Sequence, residues 1–180
     1  MLLDRTNSLL LVIDIQERFL PHIHKIERIL ERTELLLQAA KLFDIPILAS
    51  EQYPKGLGGT AESLMPYIAP EECLPKMEFS CWRNPALQQK IQDTKKQHVV
   101  IAGVETHVCV LQTAIALKEH GYDVFVVADA TSSRAKNNVK HALTRMTEHG
   151  IHIVNSEMVA TEWCQTADHP AFKQISKMIR

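Results

Sequence analysis

The sequence is poor in cysteine, and its few cysteines are not spaced for a disulfide framework or a zinc site. The 180 residues contain four of them, none in a C-x-x-C pair: Cys73, Cys81, Cys109 and Cys164. Free thiols in a chain of this size are typical of a reducing compartment. We therefore expect a cytoplasmic protein, and the sequence alone assigns no role to Cys73, Cys81 or Cys164.

Long apolar runs and a charge imbalance are also absent. The longest apolar run near the start, Leu9 to Ile13, is too short to span a bilayer, and Met1 to Arg5 lacks the features of a secretory signal. Basic (20) and acidic (21) residues are interspersed and give a net charge of -1. Because there is no basic stripe, we expect no nucleic-acid or membrane partner, and a small-molecule or protein partner instead.

What the sequence does contain is an alternation of short apolar runs and longer helical patterns. The apolar runs are Ser8–Ile13, Ile45–Ala49, a weaker Cys73–Pro75, His98–Ala102, Asp123–Ala128 and Ile151–Asn155. Uninterrupted runs of this length are typical of strands buried on both faces. Helices are predicted over Ile26–Phe43, Thr106–His120, Ala135–His149 and Pro170–Ile179, with Gly121 and Gly150 as C-terminal caps. The alternation predicts one α/β domain over residues 1–180, with three α/β/α layers and a mainly parallel six-stranded sheet.

Two charged residues follow apolar runs, at the strand ends where parallel sheets collect their reacting groups. Asp14 comes directly after the first run and Lys76 after the weak third run. A buried carboxylate is costly unless a partner compensates it, so a functional Asp14 requires a cation or a proton-sharing group nearby. The alternatives are a turn carboxylate for Asp14 and a solvated surface lysine for Lys76.

Cys109 follows the fourth run, where Gly103 to Val110 leads into a predicted helix. A helix N-terminus favours a thiolate and so lowers the pKa of a thiol, and its free N–H groups can hold an oxyanion. Gly103 permits a tight turn at this point. The alternative is that Cys109 is a small buried hydrophobic residue.

Together these segments resemble the isochorismatase-like cysteine hydrolase superfamily, over nearly the whole chain. The resemblance is carried by Val12-Ile13-Asp14-Ile15-Gln16, by Lys76 after the third strand and by Gly103-Val104-Glu105-Thr106-His107-Val108-Cys109. Glu105, His107 and the stretch from Glu51 to Gly58 resemble the YcaC-like and isochorismatase-domain-containing subgroup.

The resemblance implies a hydrolase with a catalytic triad of Asp14, Lys76 and Cys109. Asp14 takes the thiol proton, and the thiolate attacks an amide, imide or ureido carbonyl to form an acyl-enzyme. Lys76 holds Asp14 ionised and orients it. The oxyanion hole consists of the backbone N–H groups of Glu105 and Cys109, with a cis peptide bond between Val104 and Glu105. The family also implies a homo-oligomer, of an order that the sequence does not give.

Departures from related enzymes narrow the expected chemistry. Nicotinamidases of this superfamily bind a metal through an Asp-x-His and a later His after the second strand, whereas the stretch from Ser50 to Gly59 contains no histidine here. Nicotinamide hydrolysis is therefore disfavoured, and we expect no metal and no cofactor, since Glu51 alone is not a metal site. True isochorismatases cleave a vinyl ether and lack the nucleophilic cysteine, so Cys109 favours acyl transfer.

The substrate pocket and the remaining polar residues are less specific in the sequence. The candidate pocket residues, for which ordinary packing is the alternative, are Phe19, Gln52, Tyr53, Trp82 and His107. We expect Gln16 either to form a hydrogen bond near Asp14 or to face solvent. We expect Asp129 to cap the turn from Thr131 to Ser133. Two other functions stay open: a non-catalytic oligomeric scaffold or partner-binding protein with the hydrolase fold, and a thiol redox sensor without a resolving cysteine near in sequence.

Overall fold

A six-stranded sheet forms the centre of the protein in the computed structural model, which describes residues 1–179. Its strands are β1 (Ser8–Ile13), β2 (Ile47–Gln52), β3 (Cys73–Lys76), β4 (His98–Val104), β5 (Asp123–Ser132) and β6 (His152–Val154). They lie in the order β3-β2-β1-β4-β5-β6, and all neighbours are parallel. Every residue of β1 and β4 is buried, as expected for uninterrupted apolar strands covered on both faces.

The described residues form seven α-helices, of which all but the short α2 cover the two faces of the sheet. They are α1 (Ile26–Leu42), α2 (Pro54–Leu57), α3 (Pro85–Asp93), α4 (Leu111–Glu119), α5 (Lys136–Glu148), α6 (Ser156–Cys164) and α7 (Phe172–Met178). The core on one face contains residues of α1, α6 and α7, and the core on the other face contains residues of α3, α4 and α5. Along β1, Leu10 and Val12 point into the first core and Leu9, Leu11 and Ile13 into the second. The predicted three-layer α/β/α fold is confirmed.

Several element boundaries differ from those predicted. β2 begins and ends later than the apolar run, and β4 and β5 extend beyond their runs at the carboxyl end. β5 continues because Thr131 and Ser132 pair with Gly103 and Val104, after a shift of register that follows Ile101. The extended ends of β2 and β5 are mainly polar, so hydrophobic pattern alone did not reveal them.

Three helices were missed: the single turn α2 and the longer α3 and α6. The N-termini of α3 and α6 carry ordinary capping signals: the Asn84 side chain accepts a hydrogen bond from the Leu87 N–H, and the Asn155 side chain accepts one from the Met158 N–H. The predicted final helix is present, but α7 begins at Phe172 rather than at Pro170. No helix in the described residues is both long and apolar enough to cross a membrane.

Gly103 is required by close packing of two strands. Its φ is +125°, and a Cβ atom there would lie 2.1 Å from the Ile13 carbonyl oxygen. Gly103 still pairs within β4, so the expected tight turn at this position is wrong. The missing side chain instead lets the ends of β1 and β4 approach each other, which brings the segments after both strands together.

Candidate active site

A buried ion pair joins the ends of β1 and β3. Asp14 directly follows β1 and Lys76 is the last residue of β3, and their side chains are 3% and 0% exposed. The Lys76 Nζ atom lies 2.7 Å from Asp14 Oδ2. Because β2 separates the two strands in the sheet, the lysine side chain reaches across the end of β2 to make this contact.

Two polar side chains at the end of β2 complete the hydrogen bonding of the pair. Ser50 Oγ donates to Asp14 Oδ1 at 2.7 Å, and Lys76 Nζ donates to Gln52 Oε1, also at 2.7 Å. Gln52 was a sequence candidate, but Ser50 was missed. Since residues two apart in a strand point to the same side, Ser50 would have been found beside Gln52 if the second strand had been extended beyond Ala49.

Cys109 lies beside this pair, in the π-helical turn Thr106–Val110 between β4 and α4. It is 6% exposed, and its Sγ atom lies 3.9 Å from Gln52 Oε1. The thiol is also near enough to Asp14 for each group to shift the pKa of the other. The structure thus brings together the three residues that the sequence proposed as a triad.

The electrostatics of the three groups differ from the sequence expectation at one point. Burial raises the pKa of the Asp14 carboxyl, and the Lys76 ammonium offsets only part of that rise. Burial acts to lower the pKa of Lys76, but the Asp14 carboxylate and the neighbouring thiols outweigh it and keep that pKa above its ordinary value. Burial and the Asp14 carboxylate raise the pKa of Cys109, so the expected lowering by the helix terminus is wrong. The resting group is a thiol.

A small cavity of about 160 Å³ opens onto Cys109. Three sequence candidates line it, namely Phe19, Gln52 and Glu105, together with Asp14 and Cys109. The remaining lining is apolar and was not identified from the sequence: Leu57, Phe79, Val104 and Val108. The whole lining comes from the carboxyl ends of four strands, β1 to β4, and the segments after them, so only the assembled fold shows that these residues share one cavity.

The other three pocket candidates lie outside this cavity. Trp82 is buried against the Tyr122 ring, with 5.4 Å between ring centroids, on the α3–α5 face of the sheet. The Nδ1 atom of His107 lies 3.0 Å from Ser133 Oγ, so the imidazole connects the π-helical turn to the segment after β5. The Tyr53 side chain is half exposed at the start of α2. Placing Trp82, His107 and Tyr53 in the pocket was wrong for the single chain.

Glu105 lies beside Cys109 in the lining of the cavity. The peptide bond between Val104 and Glu105 is cis, and the Glu105 N–H has no acceptor within residues 1–179. The Glu105 carboxylate accepts hydrogen bonds from the backbone N–H and the Nε–H of Arg134, at 2.9 Å and 3.2 Å. The side chain is therefore occupied by Arg134, while the backbone donor is available to another group.

Gln16 supports the site indirectly. It is fully buried, and its side chain accepts from the Gln52 N–H at 2.7 Å and donates to the Gln52 carbonyl at 3.0 Å and the Gly58 carbonyl at 2.7 Å. Gln16 therefore does not face solvent, and it hydrogen-bonds to the end of β2 rather than to Asp14.

Asp129 does not cap the turn from Thr131 to Ser133, as the sequence suggested. Its carboxylate instead accepts hydrogen bonds from the N–H and Oγ–H of Ser156.

A second thiol lies directly behind the ion pair. Cys81 is fully buried, its Sγ donates to Ser50 Oγ at 3.5 Å, and burial raises its pKa to about 11.

Glu51, the one candidate metal ligand after the second strand, is engaged within the protein. Its Oε1 atom accepts hydrogen bonds from the N–H and Oγ1–H of Thr60. Within the described part of the chain, no three His, Cys, Asp or Glu side chains are grouped as a metal site would require.

Comparison with known proteins assigns the chain to a known family. The model of the isochorismatase domain family matches residues 8–158. The chain is 40% identical to isochorismatase domain-containing protein 1 of Danio rerio over 179 residues, which are 99% of this chain and 62% of that relative. The chain thus spans less than two thirds of that relative's length.

Solved structures share the fold over almost the whole chain. A structure named MAR1 ribonuclease from Caenorhabditis elegans superposes with a TM-score of 0.93 at 37% identity, covering 99% of this chain and 92% of that one. The ycaC gene product of Escherichia coli, described as an octameric hydrolase of unknown specificity, superposes with a TM-score of 0.88 at 23% identity, covering 99% and 96%. At 23% identity, the similarity to the Escherichia coli protein shows a shared fold only.

Proposed function

This chain belongs to the isochorismatase family, and from that premise we propose that it is a hydrolase that uses Cys109 to cleave a C–N bond of a small amide, imide or ureido compound. One observation carries the proposal: a buried carboxylate, paired with an ammonium at 2.7 Å, lies beside a thiol that faces a cavity. A buried ion pair is weak evidence for stability. The pair lies where β1 and β3 end, next to a nucleophilic atom, and catalysis explains that position better than stability does.

Asp14 is the general base of the proposed reaction. Its pKa is raised by burial, which brings it closer to the operating pH and suits proton transfer in both directions. Asp14 accepts the proton of the Cys109 thiol as the sulfur forms a bond to the substrate carbonyl carbon. Because the pKa of the resting thiol is also raised, this transfer coincides with attack rather than preceding it.

Lys76 positions the base and compensates its charge. Its pKa lies above the ordinary value, so it remains an ammonium throughout the cycle. Its hydrogen bonds to Asp14 Oδ2 and Gln52 Oε1 fix both acceptors on the side of the cavity where Cys109 lies. Ser50 holds the other carboxylate oxygen, so Asp14 cannot rotate away from the thiol without losing two hydrogen bonds.

The tetrahedral intermediate places a negative charge on the former carbonyl oxygen. We assign its stabilisation to the backbone N–H groups of Glu105 and Cys109, the former of which has no acceptor within residues 1–179. Asp14 returns its proton to the leaving nitrogen, and the C–N bond breaks to release ammonia or an amine. A water molecule then gives its proton to Asp14 and attacks the thioester carbon, which releases the carboxylic acid and regenerates the thiol.

The experiment that tests this function is a screen of small amides, imides and ureido compounds, read by ammonia or amine release. We expect turnover by the wild type and its loss in Cys109→Ser, with an unchanged circular dichroism spectrum. Cys73→Ser is the matched control, because Cys73 is half-buried and lies outside the cavity. Equal turnover by the wild type and Cys109→Ser would refute the role of the sulfur.

The name of the Caenorhabditis elegans structure suggests ribonuclease activity as a second candidate. Two features of this chain favour a small molecule instead: the cavity at Cys109 measures only about 160 Å³, and the net charge is -1, whereas nucleic-acid binding domains carry basic patches. A labelled single-stranded RNA should survive incubation with the purified protein. RNA cleavage lost in Cys109→Ser would replace the amide proposal by a nuclease.

We also propose a homo-oligomer. Large apolar side chains are exposed beside the site, at Tyr53, Met77 and Phe79, with exposed fractions of 49%, 66% and 54%. A patch of this kind is typical of a protein–protein interface, and Escherichia coli YcaC is described as octameric. Sedimentation velocity should give a mass that is a multiple of 20.4 kDa, and a monomer at micromolar concentration would contradict it.

A further inference from the structure

The lining of the cavity at Cys109 carries no cation. Among residues 1–179, its charged side chains are Asp14 and Glu105, both carboxylates, and no Lys, Arg or His contributes to it. The remaining lining is the amide of Gln52, the Cys109 thiol and five apolar side chains: Phe19, Leu57, Phe79, Val104 and Val108. Any anionic group on a substrate would therefore enter a space whose fixed charges are of the same sign.

The two cations nearest to these carboxylates are already engaged. The Lys76 ammonium donates to Asp14 and Gln52, and its side chain is 0% exposed. Arg134 donates twice to the Glu105 carboxylate from a position outside the cavity lining. Lys76 cannot move toward a substrate carboxylate without leaving Asp14 unpaired, and Arg134 lies outside the lining, so the cavity itself presents no free positive charge.

The size and polarity of the cavity limit the substrate further. A cavity of about 160 Å³ holds roughly five waters at about 30 Å³ each, and it is smaller than the 300–1,000 Å³ that are typical for drug-sized ligands. A substrate carbonyl held at the Cys109 sulfur would have Gln52 nearby, since Gln52 Oε1 lies 3.9 Å from Sγ, and the rest of the substrate would contact the apolar lining. A short hydrocarbon chain attached to that carbonyl matches this arrangement.

We infer that the site takes an uncharged amide or imide with a short apolar acyl group, and that it rejects compounds with a carboxylate on that group. This inference rests on the proposed function and narrows its substrate class.

A pair of alkylating reagents tests the inference without a known substrate. Iodoacetamide is uncharged and iodoacetate carries a carboxylate, and both react through the same thiolate, so the raised pKa of Cys109 cancels in the ratio of their rates. The ratio at Cys109, followed by peptide mass spectrometry, is divided by the ratio for N-acetylcysteine under the same conditions. We expect the corrected ratio to favour iodoacetamide about tenfold or more, which corresponds to about 1.4 kcal/mol.

A matched pair of variants assigns the effect to charge. Leu57 is half-buried in α2 and lines the cavity. Leu57→Lys introduces a cation and should reduce the corrected ratio severalfold, whereas Leu57→Gln, which has similar length and polarity without charge, should leave it near the wild-type value. Equal ratios in the two variants would show that charge does not set the selectivity, and would overturn the inference.

A pair of substrates provides the second arm. Butyramide and succinamate have the same chain length, and only succinamate carries a terminal carboxylate. We expect kcat/KM for butyramide to exceed that for succinamate at least tenfold, and a preference for succinamate or iodoacetate would overturn the inference while leaving Cys109 as nucleophile. If neither reagent modifies Cys109 in the folded protein while both modify it after unfolding, the cavity is closed, and the proposed function fails together with the inference.

Discussion

Replacing the proposed base should make the nucleophile more reactive toward an alkylating agent while abolishing turnover. The change is Asp14→Asn, which keeps a side chain of the same size and an oxygen that can accept from Lys76 or Ser50. Burial and the Asp14 carboxylate raise the pKa of Cys109, whereas the Lys76 ammonium lowers it. In the variant the carboxylate is gone and the ammonium remains, so the pKa of Cys109 should fall.

The size of the effect follows from the chemistry of thiolates. A neighbouring charge shifts a pKa by about 1–3 units. Below the pKa each unit raises the thiolate fraction about tenfold, but nucleophilicity falls with a Brønsted coefficient of about 0.4–0.5, so the alkylation rate at Cys109 should rise about 3- to 60-fold. Ammonia release should fall to background in the same preparation, because the proton acceptor is missing.

The assay is iodoacetamide labelling at a fixed, mildly alkaline pH, followed by peptide mass spectrometry. Asp129→Asn is the matched control, since Asp129 is a strand carboxylate that bonds Ser156 and lies outside the cavity. It should leave both the labelling of Cys109 and turnover unchanged. Slower labelling in Asp14→Asn, or retained turnover, would refute the assignment of Asp14 as base.

Three further expectations concern the fold around the site. Lys76→Met leaves the Asp14 carboxylate buried without its cation and should lower the free energy of unfolding by about 3–5 kcal/mol; adding Asp14→Asn should restore most of the loss in urea titrations but no activity. The folded pKa of Cys81 is raised from 9.0 to about 11, so its stabilising contribution is complete below pH 9 and is lost as the pH rises to 11. The unfolding free energy should therefore fall by about 3 kcal/mol more in the wild type than in Cys81→Ala over that range. Gly103→Ala places a Cβ atom 2.1 Å from a carbonyl oxygen and should cost about 3 kcal/mol or more, whereas Gly121→Ala meets nothing within 4 Å and should cost about 1–2 kcal/mol; similar melting temperatures for the two would contradict the packing argument.

The sheet was predictable because burial on both faces leaves a strong signal in the sequence. β1 was predicted at its observed limits, Ser8–Ile13, since every one of its residues is buried. Residues directly after such runs lie at one edge of a parallel sheet. That rule drew attention to Asp14 and Lys76, the predicted helix N-terminus to Cys109, and the family resemblance joined the three as a triad. The structure places them together.

What the sequence concealed depends on contacts between distant segments. The end of β2 is polar, and its Ser50 and Gln52 are held by Asp14, Gln16 and Lys76 rather than by an apolar core. Hydrophobic pattern cannot show such an extension. The helix N-terminus predicted a lower thiol pKa, but burial depends on the whole fold and has the opposite, larger effect.

Three of the five predicted pocket residues lie outside the cavity for a related reason. An aromatic residue near the site in sequence is not near it in space when its element faces the other way. Trp82 follows the loop after Lys76, yet it packs toward Tyr122 on the helical face. Leu57 and Val108, which do line the cavity, are ordinary aliphatic residues that nothing in the sequence distinguishes.

The central claim is that the Cys109 sulfur carries the acyl group during turnover. Rapid mixing with p-nitrophenyl butyrate, an uncharged acyl donor, followed by acid quench and peptide mapping, tests it most directly. The account predicts a burst of nitrophenolate of about one equivalent per chain and a butyryl group on the Cys109 peptide in the wild type, with neither in Cys109→Ala. A butyryl group on any other residue, or an equal burst in Cys109→Ala, would contradict the account.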